Sequence, residues 1–511
     1  MDETQPLLAP QTNGHANGKH PSAPPFANHG GADDATANQD NELIHDQDNP
    51  HAWPRSFRLL LVALLALMAF TVTFTCIALV PLAPSIINSL DQTSNHPSSS
   101  YAAILLVTIW ELGEAAGPLL IAPLSEVYGR APVFHAANAL FIVSTAVGAI
   151  SQSSAQLILA RFVTGMAVAT NVLNPAVIGD LFPTEERGSA MSLVMLTPLM
   201  GGAIGPAVAG AVAQGAGWRA VMWMSVALAV VVEILFLILF RETYMPAVLR
   251  RRLHDVDVSK RQNAKLDGTI EDGLDVDALE VRPKSLVWQS IKRPATIFAS
   301  SFVLQILSLY GAVMFSFFYI ISTTMPSILQ NRYNFSPALV GSSFLAFSIG
   351  SLAGILTNNT FLDKIYLHLT IPQTGPQPEN RLPLVIIGAF TMPLTIILYG
   401  FTASLHLPAS LLLLSVALMG CTIMLGLVPM MSYIVDAFGV YSASALTAVL
   451  ITRCLMSTVL PMAVEPLERR LGYGWGLTVL AGVCAVLAPV PWVVMRRGAV
   501  WRQRSDYTKG G

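Results

Sequence analysis

Runs of about 20 mostly apolar residues, the length a helix needs to cross a hydrocarbon core, recur along this chain and constrain its fold more than any other feature. They fall at roughly 58–82, 102–124, 132–150, 155–178, 189–213, 219–240, 296–321, 338–358, 382–403, 408–433, 442–464 and 473–495. Such a chain is predicted to be an all-α membrane protein with 12 transmembrane helices. Composition agrees: 53% of residues are hydrophobic and 12% charged, against about 25% charged in a soluble domain. A net charge of -2 excludes the bulk basic character that nucleic acid would require. The four cysteines, Cys76, Cys421, Cys454 and Cys484, lie in apolar runs without the paired spacing of a zinc site. They read as packing residues, and no metal or cofactor is expected.

Six runs precede a long polar segment, 241–295, and six follow it. Two six-helix halves joined by a hydrophilic linker are the layout of a secondary transporter built from repeats. The expected organisation is a disordered cytoplasmic tail at 1–54, a first half at 55–240, a cytoplasmic linker at 241–295, a second half at 296–495 and a cytoplasmic tail at 496–511. The first segment is rich in Asn, Asp, His, Gly, Ala and Pro and cannot bury a core. It also lacks the basic-then-apolar order of a secretory signal. Lys and Arg set the orientation. With the N-terminus inside, interior segments hold Lys19, Arg55, Arg58, Arg130, Arg187, Lys364, Arg381, eleven basic linker residues and five in the C-terminal tail. Exterior loops hold only Arg219, Arg332, Arg469 and Arg470. Both termini are expected in the cytoplasm. Arg250-Arg251-Arg252 reads as a topology anchor, with contact to anionic lipid as the alternative.

The second run keeps two acids, in Thr108-Ile109-Trp110-Glu111-Leu112-Gly113-Glu114. Glu114 lies about 18 Å from Glu126 at the cytoplasmic end of that helix, and Glu111 about 22 Å, at 1.5 Å per residue. Positions three apart share a helical face. Desolvation disfavours a charged carboxylate, and so does a like-charged neighbour. Such a pair is suited to take a proton from one side and release it to the other. Two other readings stay open: the acids bind a cationic substrate directly, or they are static hydrogen-bonding groups. No Gly-x-x-x-x-Gly-Lys-Ser/Thr run is present, so the expected energy source is a proton gradient rather than ATP.

Gly117-Pro118-Leu119-Leu120-Ile121-Ala122-Pro123-Leu124-Ser125-Glu126-Val127-Tyr128-Gly129-Arg130 closes the second run. It resembles the loop signature of the major facilitator superfamily, in the form of its fungal twelve-span drug:proton antiporter branch. The resemblance implies the major facilitator fold, and a latch between the halves at Glu126, Gly129 and Arg130. Ala122 and Val127 replace a usual glycine and a usual basic residue. In the fourth run Arg161 and Gly165 match the family's arginine-glycine spacing. The resemblance gives Arg161 a part in proton transfer, beside the plainer reading that it snorkels. In the fifth, Gly201, Gly205, Pro206 and Gly210 are similar to the antiporter signature, with Ser192 and Ala209 where glycines are usual. Further matches are Asp48-Asn49-Pro50-x-x-Trp53-Pro54, Asp180-Leu181-Phe182-Pro183, Glu242-Thr243-Tyr244-Met245-Pro246 and Pro378-Glu379-Asn380-Arg381. The second half keeps only Asp363-Lys364 as an echo of the loop signature.

Other polar groups inside the runs are candidate cavity residues. Asn171 and Asn174 either bind substrate or hold helices together. Arg453 could balance the acids. Tyr310 and Tyr319 either stack on substrate or pack in the core. Glu233 falls on a helix the family places at the periphery. The expected function is proton-coupled export of small organic molecules by alternating access, with no enzymatic chemistry. An importer or symporter on the same scaffold, or a solute sensor, are the alternatives. The expected partners are a small organic substrate, protons and the lipid bilayer, and the protein is expected to be a monomer. The plasma membrane is the family's default location. Glu3-Thr4-Gln5-Pro6-Leu7-Leu8 resembles a vacuolar sorting signal, and Asn334-Phe335-Ser336 is a glycosylation triplet.

Overall fold

The computed structural model describes residues 50–94, 101–183, 186–250, 283–369, 377–505 and 507–508. Residues 1–49 and 251–282 lie outside, so the expected disordered tail, the Glu3–Leu8 signal and most of the linker fall there too. Among the described residues every regular element is helical.

Among the described residues the chain's main α-helices are α1 (Arg55–Ala78), α2 (Ala83–Ser94), α3 (Ala102–Tyr128), α4 (Arg130–Ala149), α5 (Ser154–Met166), α6 (Thr170–Leu181), α7 (Arg187–Leu239), α8 (Pro283–Ser300), α9 (Phe302–Tyr333), α10 (Pro337–Leu369), α11 (Pro383–Ser404), α12 (Ala409–Phe438), α13 (Ser442–Val459), α14 (Val464–Leu487) and α15 (Val490–Arg502). Helices and crossings do not map one to one. At 53 residues, α7 would be about 80 Å long at 1.5 Å per residue, far more than a bilayer's hydrocarbon. It turns at Gly217, where φ is 79°, a conformation glycine adopts without a Cβ penalty. Gly472, at φ 74°, does the same inside α14. The fourth run, expected as one helix, is two short ones, α5 and α6, interrupted at Ala167–Ala169. Nine apolar helical stretches long enough to cross a membrane are present among the described residues. Doubling the two that turn back and joining α5 to α6 is consistent with twelve crossings.

Large apolar side chains face outward on many of these helices, among them Val143, Ile238, Leu367 and Val486. Apolar residues on all sides are what a helix buried in lipid requires. The face bearing Arg55, Arg130, Asp180 and Glu242 is called here the terminal face, and the face bearing Pro81, Ile150, Gly217 and Gly472 the distal face.

Candidate functional site

The acids at Glu111 and Glu114 sit near the middle of α3, on the side that meets the second half. Glu111 is 2% exposed and Glu114 8%. Tyr319 on α9 donates its hydroxyl hydrogen to Glu111 Oε1 at 2.6 Å. Among the described residues no N–H or O–H group donates to Glu111 Oε2, and the Cys454 thiol on α13 lies beside the Glu111 carboxyl. Trp110 Nε1 donates to Glu114 Oε2 at 3.3 Å, and Arg453 Nη2 on α13 lies 3.5 Å from Glu114 Oε1. The Arg453 guanidinium also stands over the Phe315 ring at 4.3 Å, with its Nε lacking an acceptor. One stripe of α3 therefore meets two helices of the other half. One oxygen of each acid and the Cys454 sulfur lie within 4.8 Å of one another. Tyr319, Trp110 and Arg453 already occupy three of the four carboxylate oxygens.

Arg161 is not a snorkelling residue. It is 2% exposed, and its guanidinium donates to the carbonyls of Thr75 at 3.1 Å, Cys76 at 2.8 Å and Leu106 at 3.4 Å. It also stands over the Trp110 ring at 4.7 Å, so it reaches the acids through Trp110, which itself binds Glu114. This places Arg161 as the support of the site's wall.

The other candidates divide. Tyr310 is packed inside the second half, its hydroxyl donating to Val385 O at 3.4 Å, and it is no part of the cluster around the acids. The reason is helical phase: nine residues at about 100° each put Tyr310 and Tyr319 on opposite faces of α9. Asn174 is buried, with Nδ2 donating to Leu65 O on α1 at 3.4 Å and Oδ1 without a partner among the described residues. The side chain of Asn171 lies outside the described structure. Glu233 accepts from Asn138 Nδ2 at 2.6 Å and lies 2.7 Å from His135 Nδ1, a polar clasp between α4 and α7 within the first half.

At the terminal face, Arg130 is not paired with Glu126, which is exposed. Its Nε lies 3.3 Å from Asp180 Oδ2 at the end of α6, and its Nη1 donates to Ser125 Oγ at 2.6 Å. Glu242 accepts from the Arg130 and Ala131 backbone N–H groups at 2.8 and 3.2 Å. Gly129 has φ 97°, and a Cβ there would fall 2.3 Å from Glu242 Oε2. Arg130 thus ties parts of the first half to each other, and the expected latch between halves is corrected on this point: Asp180 is the nearer acid. The second half repeats the device. Arg381, just before α11, pairs with Asp436 near the end of α12 and with Asp363 at 3.4 Å. Beside it, Arg502 holds Glu379 through Nε at 2.8 Å and Nη2 at 3.1 Å. Asp180, Glu242 and Glu379 stood in motifs visible in the sequence, but nothing there assigned them partners.

The glycines of α7 serve two neighbours. A Cβ on Gly201 would meet Phe70 O of α1 at 2.9 Å, and one on Gly205 would meet Phe74 O at 3.3 Å. Gly210 faces the other half: its Cβ would fall 2.3 Å from Pro337 O. In return, a Cβ on Gly341 of α10 would fall 2.0 Å from Pro206 O. Bare backbone against bare backbone brings α7 and α10 together toward the distal face. Hydrogen bonds also join the halves, among them Tyr319 to Glu111, Arg453 to Glu114, and Thr458 Oγ1 to Thr108 O at 3.3 Å. All lie at mid-depth or beyond it toward the distal face, so the structure is closed on that side.

The family model of the Major Facilitator Superfamily matches residues 59–461. Among curated proteins, the chain is 32% identical over 452 residues to the efflux pump radE of Floropilus chiversii, covering 87% of this chain and 81% of that one. It is 30% identical over 513 residues to the MFS transporter cpaT of Aspergillus oryzae, covering 99% and 98%. Among solved structures, it superposes on a D-xylose-proton symporter with a TM-score of 0.61 at 17% identity, over 86% of this chain and 98% of that chain. That last likeness concerns the fold.

Proposed function

This chain belongs to the major facilitator superfamily of membrane transporters, and from that premise we propose that it is a proton-coupled exporter of small organic molecules working by alternating access. The observation that carries the reading is the pair Glu111 and Glu114, buried at mid-depth and joined across the two halves to Tyr319 and Arg453. Two carboxylates meet the Arg453 guanidinium there, and a second buried guanidinium, Arg161, stands behind Trp110. Glu111 Oε2 has no N–H or O–H donor among the described residues, and on this reading it is the position that takes and releases the proton. Protonation weakens the attraction between α3 and α13, on which the closed arrangement depends. A substrate with a hydrogen-bond donor or positive group competes for the same oxygens, so proton and solute exclude one another, as antiport requires. The efflux-pump description of one relative and the α7 glycines agree with export. Proton entry is worth about 1.4 kcal/mol per pH unit and about 2.3 kcal/mol per 100 mV.

The basic terminal face is assigned to the cytoplasm and the molecule to the plasma membrane, acting as a monomer. The test is reconstitution in liposomes with an imposed pH gradient and a panel of fluorescent organic solutes. Solute should move against the direction of proton flow. Solute moving with the protons, or moving equally well without a gradient, would overturn the proposal.

A further inference from the structure

On the distal face a cavity of about 160 Å³ opens between the halves, lined by Ala103 and Ile104 of α3, Thr323 and Ser327 of α9, and Glu468 and Tyr473 of α14. It has room for several waters. Two helix faces lead from its lining toward Glu111, a polar one on α9 and one on α3 that begins at Ile104. On α9, Ser327, Thr323 and Tyr319 follow one another at four-residue spacing, which keeps them on one face, and Tyr319 ends the row by donating to Glu111. On α3, Ile104, Thr108 and Glu111 stand at i, i+4 and i+7. The Thr108 side chain is fully buried, 0% exposed, and its hydroxyl has no hydrogen-bond partner. Buried hydroxyls are rarely left so, and this one stands between the cavity and the acid, where a passing water would be stabilised.

The charged groups at the cavity mouth are distinct in their commitments. Glu465 pairs with Arg469 at 2.6 Å. Arg332 donates to Ala403 O and stands over the Tyr473 ring at 5.0 Å. Tyr399 shares a hydrogen bond with Thr324 at 2.9 Å. Glu468 is in no ion pair among the described residues, and the Tyr473 hydroxyl sits beside it.

We infer that Glu468 collects protons at the distal face and passes them, through water in this cavity and past Thr108, to the Tyr319–Glu111 pair. Burial raises the Glu468 carboxyl above its ordinary value, against the pull of Tyr473 and the nearby Arg332 and Arg469, so it holds a proton more readily than an exposed glutamate. Atoms balance simply: a proton bound at Glu468 leaves to water and one arrives at Glu111, with no bond to carbon changed. Glu468 is on this account a proton-delivery residue. The inference rests on the reading of Glu111 as a proton carrier.

The test is a rapid pH jump on the distal side of the reconstituted full-length protein, followed by the carboxyl C=O infrared band that Glu111→Gln removes. The expected result is a response at least about tenfold slower in Glu468→Gln, of unchanged final amplitude. Thr108→Val and the cavity-filling Ala103→Leu should slow it likewise. Jumps applied from the terminal side should be unaffected. Parent-like rates in Glu468→Gln and Ala103→Leu would overturn the inference. Failure of Glu111→Gln to remove any band would instead overturn the underlying assignment of Glu111.

Discussion

Tyr319 commits its one hydroxyl hydrogen to Glu111, and removing it tests whether that contact matters. A hydrogen bond to a charged group is worth about 1.5–3 kcal/mol. Tyr319→Phe is therefore expected to lower solute-driven proton movement by about tenfold or more while the protein inserts normally. A parent-like rate would show that the bond is idle. Arg161 separates differently. Its two shorter bonds to carbonyls, at about 1.5–3 kcal/mol each, make Arg161→Ala a stability variant. Thermal unfolding should begin well below the parent, whereas an unchanged Tm with lost coupling would return Arg161 to proton transfer. The acids were legible in the sequence because an ionisable group in an apolar run is conspicuous. Their partners were not. Tyr310 and Tyr319 looked alike in the chain, and only the phase of α9 against its neighbours separates them. Arg453 stood out as an intramembrane charge, but Glu114 as its partner is a property of two helices from different halves.

At the scale of elements, α7 and α10 approach through Gly210 and Gly341 with no room for a methyl group. Gly341→Ala is expected to push the two apart and disfavour the distal-closed arrangement. Spin-label distances between the halves at the distal face should lengthen, and distances that match the parent would contradict this. The glycines of α7 were visible as a motif, yet their division between α1 and α10 was not, because a glycine names no neighbour. The paired devices at the terminal face were less legible still. Arg130 with Asp180 and Arg381 with Asp436 occupy corresponding places in the two halves although the sequences around them differ. The two pairs share no partner, so the losses of stability in Asp180→Asn and Asp436→Asn should add to within about 0.5 kcal/mol in the double variant. Thermal unfolding of the three variants checks this, and strongly non-additive values would mean that the two pairs are coupled.

For the molecule as a whole, the crossings and the polar middle of α3 are legible in the sequence. The broken fourth crossing and the closed distal side arise only from how the helices pack. The account joins these by one requirement: protonation of acids that bridge the halves must be linked to movement of solute. The most direct measurement is solute-driven proton movement in liposomes containing the parent, Glu111→Gln or Glu114→Gln, with insertion verified for each. The account predicts proton exchange in the parent and its loss in both variants. Exchange at the parent's rate in both would contradict it.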